Sequence, residues 1–279
     1  MKKTRKQTVA SVLSISILIF FAVVSLLPIL MVVLNSFKSH EDIIRNPLSI
    51  GFSAAFSNYT RAWKSTDMAR SLWNSVKYTG STCVVVIILS TLASYALSKQ
   101  HLKGGSIILL YFMISMTVPV QLFLVPLYSF YAKYKLLSNH FAVSLINAAC
   151  SLPLAISLMR TYFLSIPKEL EEAAVIDGAT TMITVRRVVL PLVSPGLITV
   201  TIITWLNSWN EYLVTATFLQ GKKNFTAMLS LMALNGAHSA ADQGVNMAAA
   251  AILVIPVILL FILLQNYFVD GLVSGSVKG

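Results

Sequence analysis

Long uncharged apolar stretches dominate the pattern of hydrophobic and polar positions along the chain. The first of them runs without a charged residue from Thr8 to Phe37. A helix that crosses a bilayer needs about 20 mostly apolar residues, because it must satisfy its backbone hydrogen bonds internally. By this measure the pattern predicts an all-α, polytopic membrane protein with six transmembrane helices. The predicted spans are residues 9–34, 72–97, 106–131, 140–160, 192–219 and 245–268.

The first span follows a basic start, as the apolar region of a secretory signal peptide also would. Such a region is only about 7–15 residues long and ends at small residues before a cleavage site. This stretch is longer and has no Ala-x-Ala site near its end, so we expect a retained first helix. Prolines inside the predicted spans should only kink them, because neighbouring groups satisfy the freed carbonyls. These prolines are Pro28, Pro119, Pro126, Pro153 and Pro256.

Composition and charge agree with a surface that faces lipid. The 279 residues are 56% hydrophobic and 11% charged, whereas a soluble domain carries about 25% charged residues. The formal net charge of +11 comes from basic residues in the connections between apolar runs. In that position they serve membrane orientation and contacts with anionic lipid, and we expect the lipid bilayer and no nucleic acid as a partner.

The basic cluster at the start predicts the orientation of the chain. Four of the first six residues are Lys or Arg, which favours a cytoplasmic amino terminus. With six spans both termini are then cytoplasmic. The predicted organisation is a cytoplasmic amino terminus (1–8), a transmembrane permease domain (9–268) and a cytoplasmic tail (269–279). The long outside connections 35–71 and 220–244 either dock an extracytoplasmic partner or serve as plain surface connectors.

Residues 165–191, between the fourth and fifth spans, form the longest inside segment. Their chemistry predicts a short helix, a break and a second short helix, with Pro167 early in the first helix and Gly178 as its carboxyl-terminal cap. Carboxylates crowd the first turn, where they complement the helix dipole. Small residues around the cap allow another surface to approach the backbone closely. An amphipathic interfacial helix could have a similar pattern.

The order of residues in this segment resembles a known motif. Glu172-Ala173-Ala174, Gly178 and Val188-x-Leu190-Pro191 are similar to the "EAA" motif of ABC-transporter importer permeases, with Val188 where isoleucine is usual. The resemblance implies a coupling helix that seats in a cleft of a nucleotide-binding subunit and transmits its motion to the membrane helices. The ATPase-coupling residues that it implies are Glu172, Ala173, Ala174, Asp177, Gly178 and Ala179.

The chain lacks the residues for chemistry of its own. It contains no GxxxxGK[ST] phosphate-binding loop, so we expect ATP to be bound and hydrolysed by partner subunits. Its histidines are isolated, and its two cysteines, Cys83 and Cys150, lie in apolar runs that suit buried hydrophobes. We therefore expect no catalytic residues, no metal site and no cofactor, and a protein that is not an enzyme by itself.

Polar residues at helical spacing mark one face of the fourth and fifth spans. Glu211 is the only acidic residue well inside a predicted span, and such a group suggests a lined cavity or a buried partner. Trp205 and Trp209 could stack on sugar faces or pack between helices. Polar residues of this kind line cavities, but they also hold helices together. The predicted translocation path consists of Asn147, Ser151, Thr204, Asn207, Ser208 and Glu211.

A second resemblance extends over the whole chain. The Trp209–Tyr212 stretch and the tail 271–279 are similar to the MalG-like permease subunit of binding-protein-dependent carbohydrate importers. This implies a second, different permease subunit, two ATP-binding subunits, an extracytoplasmic solute-binding protein and a bacterial plasma (inner) membrane. It implies a carbohydrate, an oligosaccharide above all, or alternatively glycerol-3-phosphate or its diesters. An ion-coupled secondary transporter that uses Glu211 is the other alternative, although clear repeats and interrupted helices are missing.

Overall fold

The computed structural model describes residues 5–54, 56–99, 102–237 and 242–276, with side chains in these ranges from residue 11 to 234 and from 242 to 264. Every regular element among the described residues is helical, which confirms the predicted all-α class. Residues 1–4 of the predicted amino terminus and 277–279 of the predicted tail lie outside the described residues.

The helices follow one another along the chain with short connections. In the first half they are α1 (Arg5–Asn35), α2 (His40–Arg45), α3 (Ser57–Ser65), α4 (Met68–Lys99), α5 (Gly105–Ser115), α6 (Gln121–Lys133) and α7 (His140–Leu164). In the second half they are α8 (Lys168–Ile176), α9 (Thr181–Thr184), a π-helical turn (Val185–Val189), α10 (Leu190–Leu192), α11 (Ser194–Trp209), α12 (Leu213–Phe218), a 3₁₀ turn (Lys222–Asn224), α13 (Ala227–Ala237) and α14 (Gln243–Ser276).

Four of these helices, α1, α4, α7 and α14, are long and apolar enough to cross a membrane. They correspond to the first, second, fourth and sixth predicted spans. At about 1.5 Å per residue, the 32 residues of α4 extend about 48 Å, which exceeds a hydrocarbon core of about 30 Å. Uninterrupted apolar sequence was sufficient to predict these helices, because a helix that crosses lipid needs little more than length and hydrophobicity.

The fifth predicted span is a bent pair of helical segments. Residues Thr181–Leu192 and Ser194–Trp209 meet at Val193 with an angle of 71° between them, and together they are apolar enough to span. Pro195, in the first turn of α11, has no N–H to continue the preceding helix, which favours a break at this point. The prediction of one helix over 192–219 is wrong in its bounds, since α11 ends at Trp209 and α12 follows separately.

The third predicted span is not a continuous helix. Two shorter helices, α5 and α6, cover it, and residues 116–120 between them are non-helical. Pro119 lies in this break, where its ring and missing N–H disrupt the helical hydrogen bonding and constrain Val118 before it. The expectation that this proline only kinks a helix is therefore wrong. The total of six spans stays a prediction.

One compact unit of the chain comprises residues 69–230 and 256–279. Here α7 packs against α5, α11 and α12. Towards its beginning α7 contributes Val143 and Ile146 to an apolar cluster that also contains Phe218. Towards its end Met159 and Phe163 belong to a second cluster. Helix α7 therefore runs through both clusters, as does α4 with Tyr78 in the first and Val86 in the second.

The other compact unit comprises residues 1–68 and 231–255. The side chain of Asn58 on α3 donates to the carbonyl oxygens of Ser36 and Lys38 at 2.9 and 2.8 Å. Arg61 forms an ion pair with Asp242, just before α14. The connection between α1 and α4 is thus a structured segment tied to the start of α14. By contrast, the residues of α1 from Val12 to Leu30 are exposed.

Candidate functional site

The predicted coupling segment folds as a short helix closed by glycine. Helix α8 begins after Pro167 and carries Glu169 and Glu171 in its first turn. Gly178 has a positive φ of 81°, a conformation that a residue with a Cβ adopts only at a cost. Its N–H donates to the Val175 carbonyl at 3.0 Å, and the N–H of Ala179 donates to the Ala174 carbonyl at 2.9 Å. These two bonds form a Schellman cap, as the sequence predicted for Gly178.

The outer surface of α8 is open, and none of its residues is buried. Glu172, Ala173, Asp177 and Gly178 are exposed, while Ala174 and Ala179 are half-buried. Two large apolar side chains stand among them, since Val175 is 62% exposed and Ile176 is 85% exposed. The structure therefore brings the predicted coupling residues together on one accessible surface that combines charge, small residues and apolar area.

Glu171, which the motif does not include, makes the ion pair that attaches α8 to a long helix. Its Oε1 lies 2.8 Å from Lys99 Nζ at the end of α4. Its Oε2 accepts a hydrogen bond of 3.2 Å from the Tyr95 hydroxyl, one turn earlier on α4. Sequence reasoning missed this role, because the motif points to the adjacent Glu172. The only signal for this ion pair in the sequence was Lys99, a basic residue just after the predicted span 72–97.

The predicted translocation residues from the fourth and fifth spans meet in space. Asn147 and Ser151 on α7 and Thr204 and Asn207 on α11 line one cavity of about 270 Å³. The remaining lining is mostly apolar and includes Met116 from the break between α5 and α6. The packing of α7 on α11 thus combines two polar faces that the sequence could identify only separately.

Ser208 lies beside this cavity and holds the two helices together. Its hydroxyl accepts a hydrogen bond of 2.9 Å from Asn147 Nδ2, and both residues are buried. Polar residues inside a membrane can line cavities or hold helices together, and this hydrogen bond holds α7 and α11 together. Trp205 and Trp209 stack on each other, with ring centroids 5.8 Å apart and planes 10° apart. Trp209 is buried, which fits packing between helices.

Glu211 has a local structural role. It lies between α11 and α12, and its two carboxylate oxygens accept hydrogen bonds from the backbone N–H groups of Val214 and Thr215, at 2.6 and 2.9 Å. These are free N–H groups of the first turn of α12, which a carboxylate satisfies well. Glu211 is not among the residues that line the cavity of Asn147 and Thr204.

Comparison with known proteins identifies the class to which this fold and these surfaces belong. Residues 87–273 match the family of binding-protein-dependent transport system inner membrane components. The match covers more than half of the chain, and the chain belongs to this family of ABC-importer permeases. It is therefore a multi-pass subunit of the inner membrane that works with other transporter subunits and a binding protein.

Individual relatives cover nearly the whole chain. The probable ABC transporter permease protein YurM of Bacillus subtilis is 36% identical over 99% of this chain and 92% of its own length. The trehalose/maltose transport system permease protein MalG of Thermococcus litoralis is 28% identical, over 99% of both chains. A crystal structure of a bacterial ABC transporter involved in the import of the acidic polysaccharide alginate contains a chain that superposes with a TM-score of 0.78. That chain is 25% identical, and the match covers 96% of this chain and 99% of the other. The predicted family and fold class are confirmed.

Proposed function

We propose that this chain is the permease subunit of an ATP-driven importer that translocates an oligosaccharide delivered by an extracytoplasmic binding protein. The substrate class rests on the relatives. Besides the trehalose/maltose protein, they include an arabinooligosaccharides permease of Halalkalibacterium halodurans, 30% identical over 93% of this chain, and a diacetylchitobiose permease of Streptomyces coelicolor, 29% identical over 95% of it. All three names specify sugars of two or more units.

The observation that carries the coupling part of this proposal is the exposed surface of α8. Large apolar side chains such as Val175 and Ile176 are normally covered, and a group of them among charged residues is typical of a protein interface. Lys168, Glu169 and Glu172 on the same helix make it too charged to lie in hydrocarbon. An ATP-binding subunit that covers this surface would contact Glu172, Ala173, Ala174 and Gly178, with Asp177 and Ala179 at their edge.

The rest of the assembly follows from that proposal. The α8 side of the membrane is the cytoplasm, both termini lie there, and two separate subunits hydrolyse the ATP, so that this chain needs no cofactor. A second, different permease completes the pathway. The exposed and mostly apolar surface of α1 suits either lipid or a helix of that partner.

The polar cavity between α7 and α11 supports a place for substrate. Amide and hydroxyl groups such as those of Asn147, Ser151, Thr204 and Asn207 are suitable partners for sugar hydroxyls. Ion-coupled transport through Glu211 finds no support here, because both of its carboxylate oxygens are engaged by the backbone of α12.

The test uses the complete transporter in proteoliposomes, with its binding protein and labelled arabino-oligosaccharides, maltose and raffinose. Glu172→Lys should abolish uptake and uncouple ATP hydrolysis while the subunit still inserts. Lys103→Glu, a reversal of an exposed charge in the connection between α4 and α5, is the matched control and should transport normally. In a background without Cys83 and Cys150, Val175→Cys should cross-link to the ATP-binding subunit. Normal uptake by Glu172→Lys, or no cross-link at position 175, would refute the proposal.

A further inference from the structure

We propose that Glu171 is the positioning residue that fixes the coupling helix to the membrane helix α4, through its ion pair with Lys99. This inference rests on the proposed function, since it concerns how motion of α8 reaches the bundle. The motif residue Glu172 points into the exposed surface for the partner. The neighbouring Glu171 faces inward, so that one helix carries a contact outside and an anchor inside.

The geometry around Glu171 is that of a sheltered carboxylate with a cation at one oxygen and a hydroxyl donor at the other. The side chain of Lys99 is 6% exposed and that of Glu171 is 18% exposed. The ammonium group lies 2.8 Å from Oε1, and the Tyr95 hydroxyl donates to Oε2. Charges this far from water interact much more strongly than a surface pair, and removing one of them leaves the other unpaired. The contact is therefore unlike the exposed ion pairs that contribute little.

Lys99 also connects a third element. Its ammonium group donates to the carbonyl oxygen of Ile166 at 2.8 Å, in the connection between α7 and α8. One turn earlier on α4, the ring of Tyr95 packs edge-on against Phe163 of α7, with centroids 5.8 Å apart. The end of α4, the end of α7 and the start of α8 are thus joined at a single cation.

Within the described residues, the main packing contacts of helix α8 stay inside the coupling segment. It contacts α9 and the π-helical turn, which belong to the same coupling segment. Among the described residues, Glu171 is the residue of α8 that forms an ion pair with a long helix. A pull or push applied to the outer surface of α8 therefore passes to α4 at this point. Without the ion pair, α8 could follow the ATP-binding subunit while α4 stays behind.

The experiment measures both uptake and ATP hydrolysis by the reconstituted complete transporter. Glu171→Gln and Lys99→Met should each lower the number of substrate molecules transported per ATP by about tenfold, while hydrolysis continues and KM for ATP is unchanged. Lys103→Met removes an exposed cation from the connection after α4 and should leave this ratio as in the wild type. The charge exchange Glu171→Lys with Lys99→Glu should restore part of the ratio that either single reversal loses.

An unchanged ratio of transported substrate to hydrolysed ATP in Glu171→Gln would overturn the proposal. So would a charge-exchange variant whose ratio is no higher than that of either single reversal. A third refuting result is a fall of uptake and hydrolysis together, in proportion to the amount of assembled transporter. The last would show a role in folding alone. Failure of the proposed function is a separate outcome, because a wild-type transporter without ATP-dependent uptake would show it before any variant is measured.

Discussion

Gly244, in the first turn of α14, occupies a position where even one methyl group should be destabilising. A Cβ built there would lie 2.5 Å from the carbonyl oxygen of Lys38, and closer still to Asn58 Nδ2. Asn58 is 1% exposed, and this nitrogen makes its two hydrogen bonds to Ser36 and Lys38. Gly244→Ala must therefore displace either a backbone carbonyl or a buried amide that holds two carbonyls.

The magnitude follows from those bonds. Each lost hydrogen bond contributes about 1 kcal/mol, and a buried group left without a partner costs about 1–3 kcal/mol. Against this, alanine in place of glycine within a helix raises the free energy of unfolding by about 0.5–1 kcal/mol. We therefore expect Gly244→Ala to lower the free energy of unfolding by about 2 kcal/mol. In a chain of this length that corresponds to a melting temperature lower by about 4 °C.

Thiol reactivity during heating in lipid nanodiscs measures this change. Cys83 is buried, so in a Cys150→Ser background its labelling by a fluorogenic reagent reports unfolding. Gly80→Ala is the matched control, because no atom lies within 4 Å of a Cβ at this position on α4, and it should melt at or above the wild-type temperature. The double variant Asn58→Ala with Gly244→Ala should lose less free energy of unfolding than the two single variants lose together. Wild-type melting of Gly244→Ala would refute the reasoning.

Three further predictions concern contacts elsewhere in the chain. Glu211→Ala should lower the free energy of unfolding by about 0.5–2 kcal/mol, because the Glu211 carboxylate caps α12. Glu211→Gln keeps one acceptor oxygen and should lower it less. In neither variant should uptake respond to an imposed ion gradient. Asn147→Ala and Ser208→Ala should each cost about 1–3 kcal/mol in the same melting assay, and the double variant should cost less than their sum. Arg61→Ala should cost less than about 1 kcal/mol because its ion pair is exposed, while Asp242→Ala should cost about 1 kcal/mol more, since that carboxylate also accepts from N–H groups at the start of α14.

Hydrophobic pattern predicted the long helices well because their solvent is lipid, and a helix in lipid needs only its own backbone bonds. It did not predict what each proline does. Pro153 remains inside the continuous helix α7. Pro119 lies in the break between α5 and α6. The difference depends on neighbouring groups that a single sequence does not reveal.

The candidate sites show the same division between local and tertiary information. Spacing along one helix identified the polar faces of Asn147 and Thr204, but the cavity exists only because α7 packs on α11. Hydropathy gave no sign that α11 ends at Trp209, so it did not predict that the Glu211 carboxylate accepts hydrogen bonds from the start of α12. The adjacent carboxylates of α8 could not be distinguished either, since only the packed structure shows that Glu171 faces Lys99.

Helices α1 and α8 are both largely exposed, and they differ in what can cover them. After its basic start, helix α1 is mostly apolar on every side, and a helix of that kind is stable against hydrocarbon or another apolar helix. Helix α8 cannot be buried in hydrocarbon, because Glu169 and Glu172 would have to be buried with Val175 and Ile176. Its cover must offer polar partners and apolar area together, as the surface of another protein does. Glu171, the neighbour of Glu172 on this helix, is bound to Lys99 and so gives a covering protein a direct connection to the membrane-spanning part of the chain.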